Sequence, residues 1–597
     1  MRFYHIICDF IILIISYNCF LGSFFYYAHS SIILSGYRFR NKKKEENVMR
    51  NLKIAAAGIL CVVMLLGLVG PFRLVKKPAT SSENFSSEAV EPPEDIWAPY
   101  EETVVITTMG EENSGTAFQG DDDYQNNPWY QAYKDRFNID LHNKWISNDY
   151  GTKLNLSIAD ADIADVFYVD SARLTTLYNA GLIMNLDDVF DRYASDTLKG
   201  YWEENKDTWE TGCFDGSLYG IPQMSYGIID QFEYIWIRQD WMQECGFDEP
   251  ETMDDVIEIA TTFAKKYGGY GLAEDQNLDN FFRLALSWGA HPGIWLEQED
   301  GTLGYGSIQP EMKEALAQYA EWYQEGILNQ NFTTMDSDKM FQDMINGKCG
   351  VIPFAQWFSY NPLPDVISNQ GPEAIFYPYE IPTQDGSEIK GSVKFNNGGY
   401  VVISNNCKNP EAAMKIVNFF CYMMDNAVEG GEETEFIYSL YDNNYPNIVR
   451  GTRVINPMTD YNQYIQIKDA VDRYLAGEEV DISDLGKNVS KFNSCVNWVE
   501  NQDPNGVGDW LQQGNDRSTY GIAKEYVDNK QYVQDAMWGA QTPTLQSAGS
   551  TLNDILTEGF TKIIIGDQPV DYFDTIVEQW LTAGGEQATA EINETYN

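Results

Sequence analysis

Hydrophobic and polar positions change their period repeatedly along the chain after Trp97. Short apolar or β-branched runs, which are typical of strands, alternate with segments that place apolar side chains at helical spacing. The strand-like runs are Thr103–Thr108, Asp165–Val169 and Tyr234–Trp236, and the first helical segments are Trp129–Phe137 and Arg173–Asn179. This alternation predicts an α/β fold.

Two later segments carry start and stop signals of helices. Met253–Tyr267 is amphipathic, follows the capping pair of Thr252–Asp255 and ends before Gly268. A second helix is expected to begin at Asn409-Pro410, because proline is well suited to the first helical position. The polar stretch 425–505 shows no such period, and we place no element there.

The N-terminal region is marked by long apolar runs with basic flanks. The run Ile54–Phe72 is long enough for a signal sequence or one membrane span, so residues 49–77 are interpreted as a signal peptide or membrane anchor. Leu60 precedes Cys61 where lipoprotein signals have a small residue, and both a lipidated Cys61 and an uncleaved helix stay open.

Two further segments flank this apolar run. Residues 1–48 are interpreted as a translated leader or extra apolar segment, with Met49 as the start of the protein. Residues 78–96 are rich in Ser, Glu and Pro, which is typical of a flexible linker. The predicted order is therefore leader, signal or anchor, linker and globular body.

The composition is that of a large acidic protein. A chain of 597 residues exceeds what one hydrophobic core organises, so at least two units with their own cores are expected. The formal net charge is −49, and no basic stripe follows Lys77. A nucleic-acid-binding protein needs such a stripe to neutralise phosphates, so we exclude that class.

Residue types that carry most enzyme chemistry are scarce. The chain has four histidines, no phosphate-binding glycine loop, no nucleophile elbow and no H-E-x-x-H motif. Its cysteines lack C-x-x-C spacing. The run Asp275–Asp279 begins like an EF-hand loop, but Asn280 and Leu286 stand where Gly and Glu are needed. We expect no catalytic residue, no metal site and no cofactor.

Aromatic residues stand beside polar ones in several places. Sugar rings pack flat C–H faces on Trp and Tyr, while their hydroxyls need polar partners. The segments of this kind are Phe354–Trp357, Trp288 with His291, Trp236 with Arg238, and Trp129 with Tyr130. Core packing is the alternative for each of them, but their recurrence near the ends of strands favours ligand contact.

Five motifs occur in a specific order. They are Asp165-Val-Phe-Tyr-Val-Asp170 with Leu177–Leu186, Asp215-Gly-Ser-Leu-Tyr-Gly-Ile-Pro-Gln223, Tyr234-Ile-Trp-Ile-Arg-Gln-Asp-Trp241, Met344–Gly350, and the C-terminal segments Glu558–Gly566, Asp571–Trp580 and Glu591–Tyr596. This order resembles the family 1 extracellular solute-binding proteins of ABC importers, in particular the lipoprotein-type subgroup that binds maltose and alginate oligosaccharides. The resemblance covers residues 97–597.

The resemblance implies a fold and its division. The family has a two-lobed α/β clamshell of the periplasmic-binding-protein type II, with hinge strands between the lobes and the ligand between them. The hinges are expected near Gly220–Tyr234 and Ile381–Lys394. Lobe 1 is expected to comprise 97–222 plus 395–500, and lobe 2 to comprise 223–394 plus 501–597.

The resemblance also implies ligand contacts. Trp357 follows the Asn-Gly-Lys turn and is the first candidate for a platform on which a sugar ring stacks. For each polar candidate, a loop or capping hydrogen bond is the alternative role. The full set of expected ligand-binding residues is Trp357, Tyr168, Asp170, Ser171, Gln223, Tyr226, Trp288, His291, Asn396 and Asn397.

The function implied is that of an exported receptor without enzymatic activity. It would be tethered at the outer face of the cytoplasmic membrane, act as a monomer, capture an oligosaccharide and deliver it to two permease subunits and their ATPase. The alternatives are a surface glycoside hydrolase or lyase and a peptide- or amino-acid-binding receptor. So acidic a body disfavours polyuronates unless Arg or Lys lines the cleft, so a neutral glycan is expected.

Overall fold

The structure is a computed structural model that describes residues 88–112, 118, 120–224, 227–395, 397–425, 463–482, 485, 488–514, 517–539 and 541–596. The predicted leader and the predicted signal or anchor lie outside these residues. Within the described part of the chain, no helix is both long and apolar enough to span a membrane.

The strands of the described residues are short and are distributed along the whole body. Their bounds are β1 Val104–Glu111, β2 Ile139–Ser147, β3 Val166–Val169, β4 Cys213–Phe214, β5 Ser217–Leu218, β6 Ile221–Met224, β7 Glu233–Arg238, β8 Trp295–Glu297, β9 Leu303–Tyr305, β10 Val351–Ala355, β11 Phe376–Tyr379, β12 Gly391–Val393, β13 Asn397–Ile403 and β14 Tyr532–Gln534.

Helices fill the intervals between these strands. Their bounds are α1 Pro128–Phe137, α2 Tyr150–Ala159, α3 Ser171–Asn179, α4 Asp187–Tyr193, α5 Asp196–Glu204, α6 Lys206–Glu210, α7 Gln239–Cys245, α8 Met253–Tyr267, α9 Asp279–Leu284, α10 Pro310–Gln324, α11 Ser337–Ile345, α12 Leu363–Gln370, α13 Pro410–Asp425, α14 Gln463–Leu475, α15 Val489–Asn501, α16 Val507–Gln513, α17 Thr519–Asn529, α18 Pro543–Ile564, α19 Tyr572–Trp580 and α20 Glu586–Tyr596.

The first lobe is built around a three-stranded antiparallel sheet of order β3-β13-β6. Val401 of the central strand pairs with Tyr168 on one side and Ile221 on the other. β1 and β2 form a parallel pair nearby, and α1 and α13 pack against this layer through fully buried Trp129 and Phe420. Apolar faces of two short sheets and their helices thus share one core.

The second lobe has its own three-stranded antiparallel sheet of order β10-β7-β11. Trp236 in the central strand is fully buried, and its indole nitrogen donates to the carbonyl oxygen of Phe354 at 3.2 Å. Arg238 is also buried and forms an ion pair with Asp240 at 2.6 Å. For these two residues, as for Trp129, core packing is the role that the structure gives.

Two connections lead from one lobe to the other, and both include residues outside the described ranges. The chain leaves β6 of the first sheet and enters β7 of the second, and it later leaves β12, which pairs with β14 and not with the second sheet, and enters β13 of the first sheet. Both connections lie near the segments expected to be the hinges, Gly220–Tyr234 and Ile381–Lys394. The first connection contains a 3₁₀ turn at Ile228–Asp230.

Residues 463–501 hold helices that the sequence did not reveal. α14 and α15 bury a few apolar side chains such as Ile467 and Phe492 in a small core of their own. Tyr464 of α14 stacks on Tyr520 of α17, with ring centroids 4.3 Å apart. These helices consequently contact helices of the second lobe.

Other predicted elements agree with the structure. α8 has the predicted bounds, and Thr252 and Asp255 form the predicted reciprocal capping box. α13 begins at Pro410 as predicted, and β1 and α1 begin within one residue of their predicted starts. Local patterns suffice for these elements because their caps and periods are encoded in neighbouring residues.

Helix α9 is short and begins without a cap of its own, because Leu278 at its start has a left-handed backbone with φ of 60°. The fully buried carboxylate of Glu274 replaces the cap. Its oxygens accept from the backbone nitrogens of Asp275, Asn280 and Phe281 at 2.8, 3.2 and 2.7 Å and from the hydroxyl of Tyr319 at 2.9 Å. Burial raises the pKa of the Glu274 carboxyl group to about 8, and the hydrogen bonds from these donors only partly oppose that shift.

Replacing Glu274 with Gln is expected to lower the free energy of unfolding by about 1–3 kcal/mol. The amide has one acceptor oxygen, and its NH₂ group would face backbone N–H donors. Chemical denaturation, monitored by tryptophan fluorescence, measures the change in the free energy of unfolding. Glu258→Gln, at an exposed position of α8, is the control and should leave stability unchanged. Equal stability of the two variants would contradict the role of Glu274.

Candidate functional site

A pocket of about 680 Å³ lies on the second lobe, beside both segments in which the chain passes from one lobe to the other. Its wall includes residues of the first passage, of the second passage, of α9 and of α18. The polar and aromatic residues that line it are Asp230, Gln231, Phe232, Glu233, Asp279, Phe282, Arg283, Tyr305, Ser307, Ser392, Lys394, Phe395, Asn553 and Thr557. Such a mixture of rings and convergent polar groups is typical of small-molecule sites.

Arg283 is the central cation of this pocket. Its Nε donates to Glu233 Oε2 at 2.9 Å and its Nη1 donates to Asn280 Oδ1 at 2.9 Å. Burial lowers the pKa of Arg283, but the charges of Glu233 and Asp279 outweigh that effect and the net shift is upward. Arg283 is therefore a permanent cation held by carboxylates.

Two carboxyl groups of the pocket have raised pKa values. Burial raises the pKa of Asp230 to about 6. Burial, followed by the charge of Asp275, also raises the pKa of Asp279. Asp230 is nevertheless fixed by protein donors, since it accepts from Gln356 Nε2 at 2.5 Å and from the hydroxyl of Tyr520 at 2.7 Å.

Trp357 lies in a 3₁₀ turn directly after β10 and has 40% of its surface exposed. Its ring meets Phe354 edge to face, with centroids 4.5 Å apart. Phe354 in turn carries the guanidinium of Arg283 at 4.7 Å from its ring centre. Gln356 accepts from the backbone nitrogen of Trp357 at 3.0 Å, which links this turn to Asp230. Trp357 itself is not among the residues that line the pocket, and its exposed indole is connected to the pocket through Phe354 and Arg283.

Of the residues expected on the first lobe, Tyr168 and Gln223 both approach the Gly398–Gly399 segment. The Tyr168 hydroxyl donates to the carbonyl oxygen of Gly398. A Cβ at Gly399, which has φ of 115°, would lie 2.4 Å from the Tyr168 ring, so glycine is required here. Gln223 is buried, and within the described residues its amide nitrogen and oxygen have no hydrogen-bond partner.

Asp170 and Ser171 have a local structural role. Asp170 is the N-cap of α3 and accepts from the backbone nitrogen of Arg173 at 2.8 Å, and it also pairs with the Arg173 guanidinium. Ser171 is the first residue of that helix. The capping role that stood as the alternative for polar candidates is thus observed for Asp170.

Trp288 and His291 differ in their relation to the pocket. Trp288 packs on Trp322, with ring centroids 5.7 Å apart, and is not among the residues that line the pocket. His291 Nδ1 lies 3.0 Å from the hydroxyl oxygen of Ser392, which does line it. Burial and then the charge of Lys390 lower the pKa of His291 to about 4, so its imidazole is neutral at pH 7.

The remaining three candidates are only partly described. Tyr226 and Asn396 lie outside the described residues. The backbone of Asn397 pairs with Met224 in the first sheet, but its side chain lies outside the described part. Their roles as ligand contacts stay predictions.

Sequence reasoning missed the charged wall of the pocket, namely Glu233, Asp279, Arg283 and Lys394. The EF-hand comparison drew attention to Asp275–Asp279 only as a calcium loop. Arg283, which directly follows Phe281 and Phe282 and lies four residues after Asp279, was the available signal. Within the described residues, no group of three or more potential ligands is arranged to hold a metal ion.

Comparisons with known proteins show that the sequence of this chain is similar to those of binding proteins. The family model described as "Bacterial extracellular solute-binding protein" matches residues 122–420. Lipoprotein LipO of Bacillus subtilis is 22% identical over an alignment of 487 residues, and this alignment covers 76% of this chain and 85% of LipO. The polygalacturonan/rhamnogalacturonan-binding protein YtcQ of the same organism is 21% identical over 475 residues, 77% of this chain and 86% of YtcQ.

Solved structures share the fold. The alginate-binding protein AlgQ2 aligns with a TM-score of 0.56 at 15% identity over 84% of this chain and 99% of AlgQ2. An HMO-binding solute-binding protein associated with an ABC transporter of Bifidobacterium longum infantis aligns with a TM-score of 0.55 at 16% identity, over 83% of this chain and 98% of that protein. The expected two-lobed α/β clamshell is confirmed.

The low pKa of His291 predicts a pH dependence of stability. As the pH falls from about 6.5 towards 4, the unfolded chain takes up a proton that the folded protein does not bind, so stability falls. His291→Gln is expected to reduce this loss by about 2 kcal/mol, since one pKa unit corresponds to about 1.4 kcal/mol. Denaturation of both proteins at pH 7.5 and 4.5 measures the difference, and identical pH dependence would contradict the assignment.

Proposed function

The chain belongs to the bacterial extracellular solute-binding proteins, and on that premise we propose that it captures an oligosaccharide and delivers it to an importer of the ABC class. The observation that carries the proposal is the exposed indole of Trp357 beside a pocket of about 680 Å³ lined with carboxylates, hydroxyls and amides. Such a ring offers a face for a sugar, and the polar wall offers partners for its hydroxyls.

The contacts around Trp357 favour a role as a sugar-stacking platform over that of a side chain that is exposed by chance. Phe354 contacts one edge of its ring, Gln356 binds its backbone nitrogen, and Asp230 binds Gln356. A ring that is fixed before binding loses little conformational entropy when a ligand stacks on it. This arrangement therefore supports binding by a preformed surface.

Relatives support an oligosaccharide as the ligand class. These relatives include a polygalacturonan/rhamnogalacturonan-binding protein and a fructooligosaccharide ABC transporter substrate-binding protein, FusA of Streptococcus pneumoniae. FusA is 27% identical over 134 residues, and the alignment covers 21% of this chain and 25% of FusA. These names comprise acidic and neutral sugars, so they leave the charge of the ligand open.

Ligand capture would proceed by closure of the two lobes about the passages at Gly220–Tyr234 and Ile381–Lys394. The expected division is 97–222 plus 395–500 for lobe 1 and 223–394 plus 501–597 for lobe 2. We move 463–500 from lobe 1 to lobe 2, because Tyr464 stacks on Tyr520. A ligand that binds the closed form more tightly shifts the equilibrium to that form, which the importer recognises.

The remaining parts of the proposal concern the cell surface. Residues 49–77 would export the chain and tether it at the outer face of the cytoplasmic membrane, and 78–96 would act as the linker. The relative named as a lipoprotein supports such a location. The protein would act as a monomer without enzymatic activity, and its partners would be two permease subunits and their ATPase.

Trp357→Ala is expected to weaken oligosaccharide binding at least tenfold, about 1.4 kcal/mol, because the stacking face is lost. Isothermal titration against neutral and acidic oligosaccharides measures the affinity, and chromatography of the mixtures shows whether the sugar stays intact. Trp202→Ala is a matched control, since Trp202 is also 40% exposed but lies on α5 of the first lobe.

Two results would contradict the proposed function. Cleavage of the sugars would indicate a glycoside hydrolase or lyase. Absence of binding to every oligosaccharide, together with binding of peptides or amino acids, would indicate the other receptor class. Equal loss of affinity in the Trp357 and Trp202 variants would contradict the position of the platform.

A further inference from the structure

The pocket beside Trp357 carries charges of both signs. Arg283 and Lys394 line it, and so do the carboxylates of Asp230, Glu233 and Asp279. The net charge of −49 does not by itself decide which ligands enter, because a nearby guanidinium can bind a sugar carboxylate through short charge-assisted hydrogen bonds. What matters is whether these cations are available.

Arg283 already has protein partners on several sides. Its Nε is bound to Glu233, its Nη1 is bound to Asn280, and its flat face lies against Phe354. A carboxylate is recognised best by two neighbouring guanidinium nitrogens, and each such pair contains Nε or Nη1. A ligand carboxylate on the Nε–Nη2 edge would therefore compete with Glu233, and one on the Nη1–Nη2 edge would share Nη1, which has two hydrogens, with Asn280.

The pairing of Arg283 with Glu233 is partly shielded from water. The two side chains expose 17% and 28% of their surface, so solvent screens their attraction less than that of a surface pair. Lys394 is exposed, and the nearby carboxylates of Asp279 and Asp535 interact with its charge. Carboxylates thus outnumber the cations that line the pocket, and the stronger cation is engaged.

We propose that Glu233 determines ligand specificity by withholding Arg283 from acidic sugars, so that the pocket accepts uncharged oligosaccharides and rejects uronates. This inference rests on the proposed function. It goes further than the overall charge, because it assigns the discrimination to one ion pair. A uronate would lose water on entry and meet Asp230, Glu233 and Asp279, with only the exposed Lys394 and a guanidinium already paired with Glu233 to compensate them.

The test compares the binding of neutral and acidic tetrasaccharides to the full chain. Isothermal titration at pH 7.5 measures affinity for three neutral probes, nystose, maltotetraose and galactotetraose, and for tetragalacturonate. The wild-type protein is expected to bind at least one neutral probe at least 100-fold more tightly than tetragalacturonate. Glu233→Gln keeps an acceptor for Arg283 Nε but removes the charge, and it should narrow that ratio at least tenfold through tighter binding of tetragalacturonate.

Further variants separate specificity from damage to the fold. Glu478→Gln removes the acid of another Arg–Glu pair, in which Arg473 Nε lies 3.0 Å from the carboxylate, and should leave the ratio unchanged. Arg283→Gln added to Glu233→Gln should abolish the gain for tetragalacturonate. Asp279→Asn removes a second carboxylate of the pocket without breaking the Arg283–Glu233 hydrogen bond, and it should shift the ratio in the same direction as Glu233→Gln.

The outcomes distinguish this inference from the proposed function. Tighter binding of tetragalacturonate than of the neutral probes by the wild-type protein would overturn the inference while supporting an oligosaccharide receptor. An unchanged ratio in Glu233→Gln would also overturn it, whatever the result for Asp279→Asn. Absence of binding to all four probes would count against the proposed function, and the inference would fall with it.

Discussion

The buried carboxylate of Glu274 holds the start of helix α9, and the geometry of the pocket depends on that contact. Because the helix begins after a residue with a left-handed backbone, its first amides need an acceptor from elsewhere, and Glu274 supplies it. The helix then brings Arg283 to Glu233 and onto Phe354. Phe354 also supports Trp357, so the buried carboxyl group of Glu274 is connected to the exposed indole through helix α9, Arg283 and Phe354.

Each lobe is built on a short sheet, and two connecting segments of the chain join the lobes. Each three-stranded sheet is short and has its own core, and the lobes are joined between β6 and β7 and between β13 and β12, which pairs with β14. The pocket lies beside these passages, so a ligand there touches the segments that would move during closure. Binding and closure are coupled in such an arrangement because the same residues take part in both.

Local sequence signals predicted much of the fold but only part of the site. The capping box of α8 and the start of α13 follow from neighbouring residues. α14 and α15 also bury apolar residues at helical spacing, such as Ile467 with Val471 and Val489 with Phe492, and the prediction missed this period among the polar residues around it. Trp357 was predicted from a motif, and the structure gives it an exposed ring. The Arg283–Glu233 pair joins residues 50 positions apart, and no local pattern encodes such a tertiary contact. Trp288 was predicted at the cleft, yet it packs on Trp322.

The decisive measurement is a crystal structure of the protein with a bound tetrasaccharide. We expect a sugar ring on the exposed face of Trp357, with ligand hydroxyls within hydrogen-bonding distance of Glu233 and Asp279 and with the Arg283–Glu233 pair intact. A tetrasaccharide bound elsewhere on the protein, with Trp357 and the pocket of the second lobe in contact with solvent alone, would contradict it.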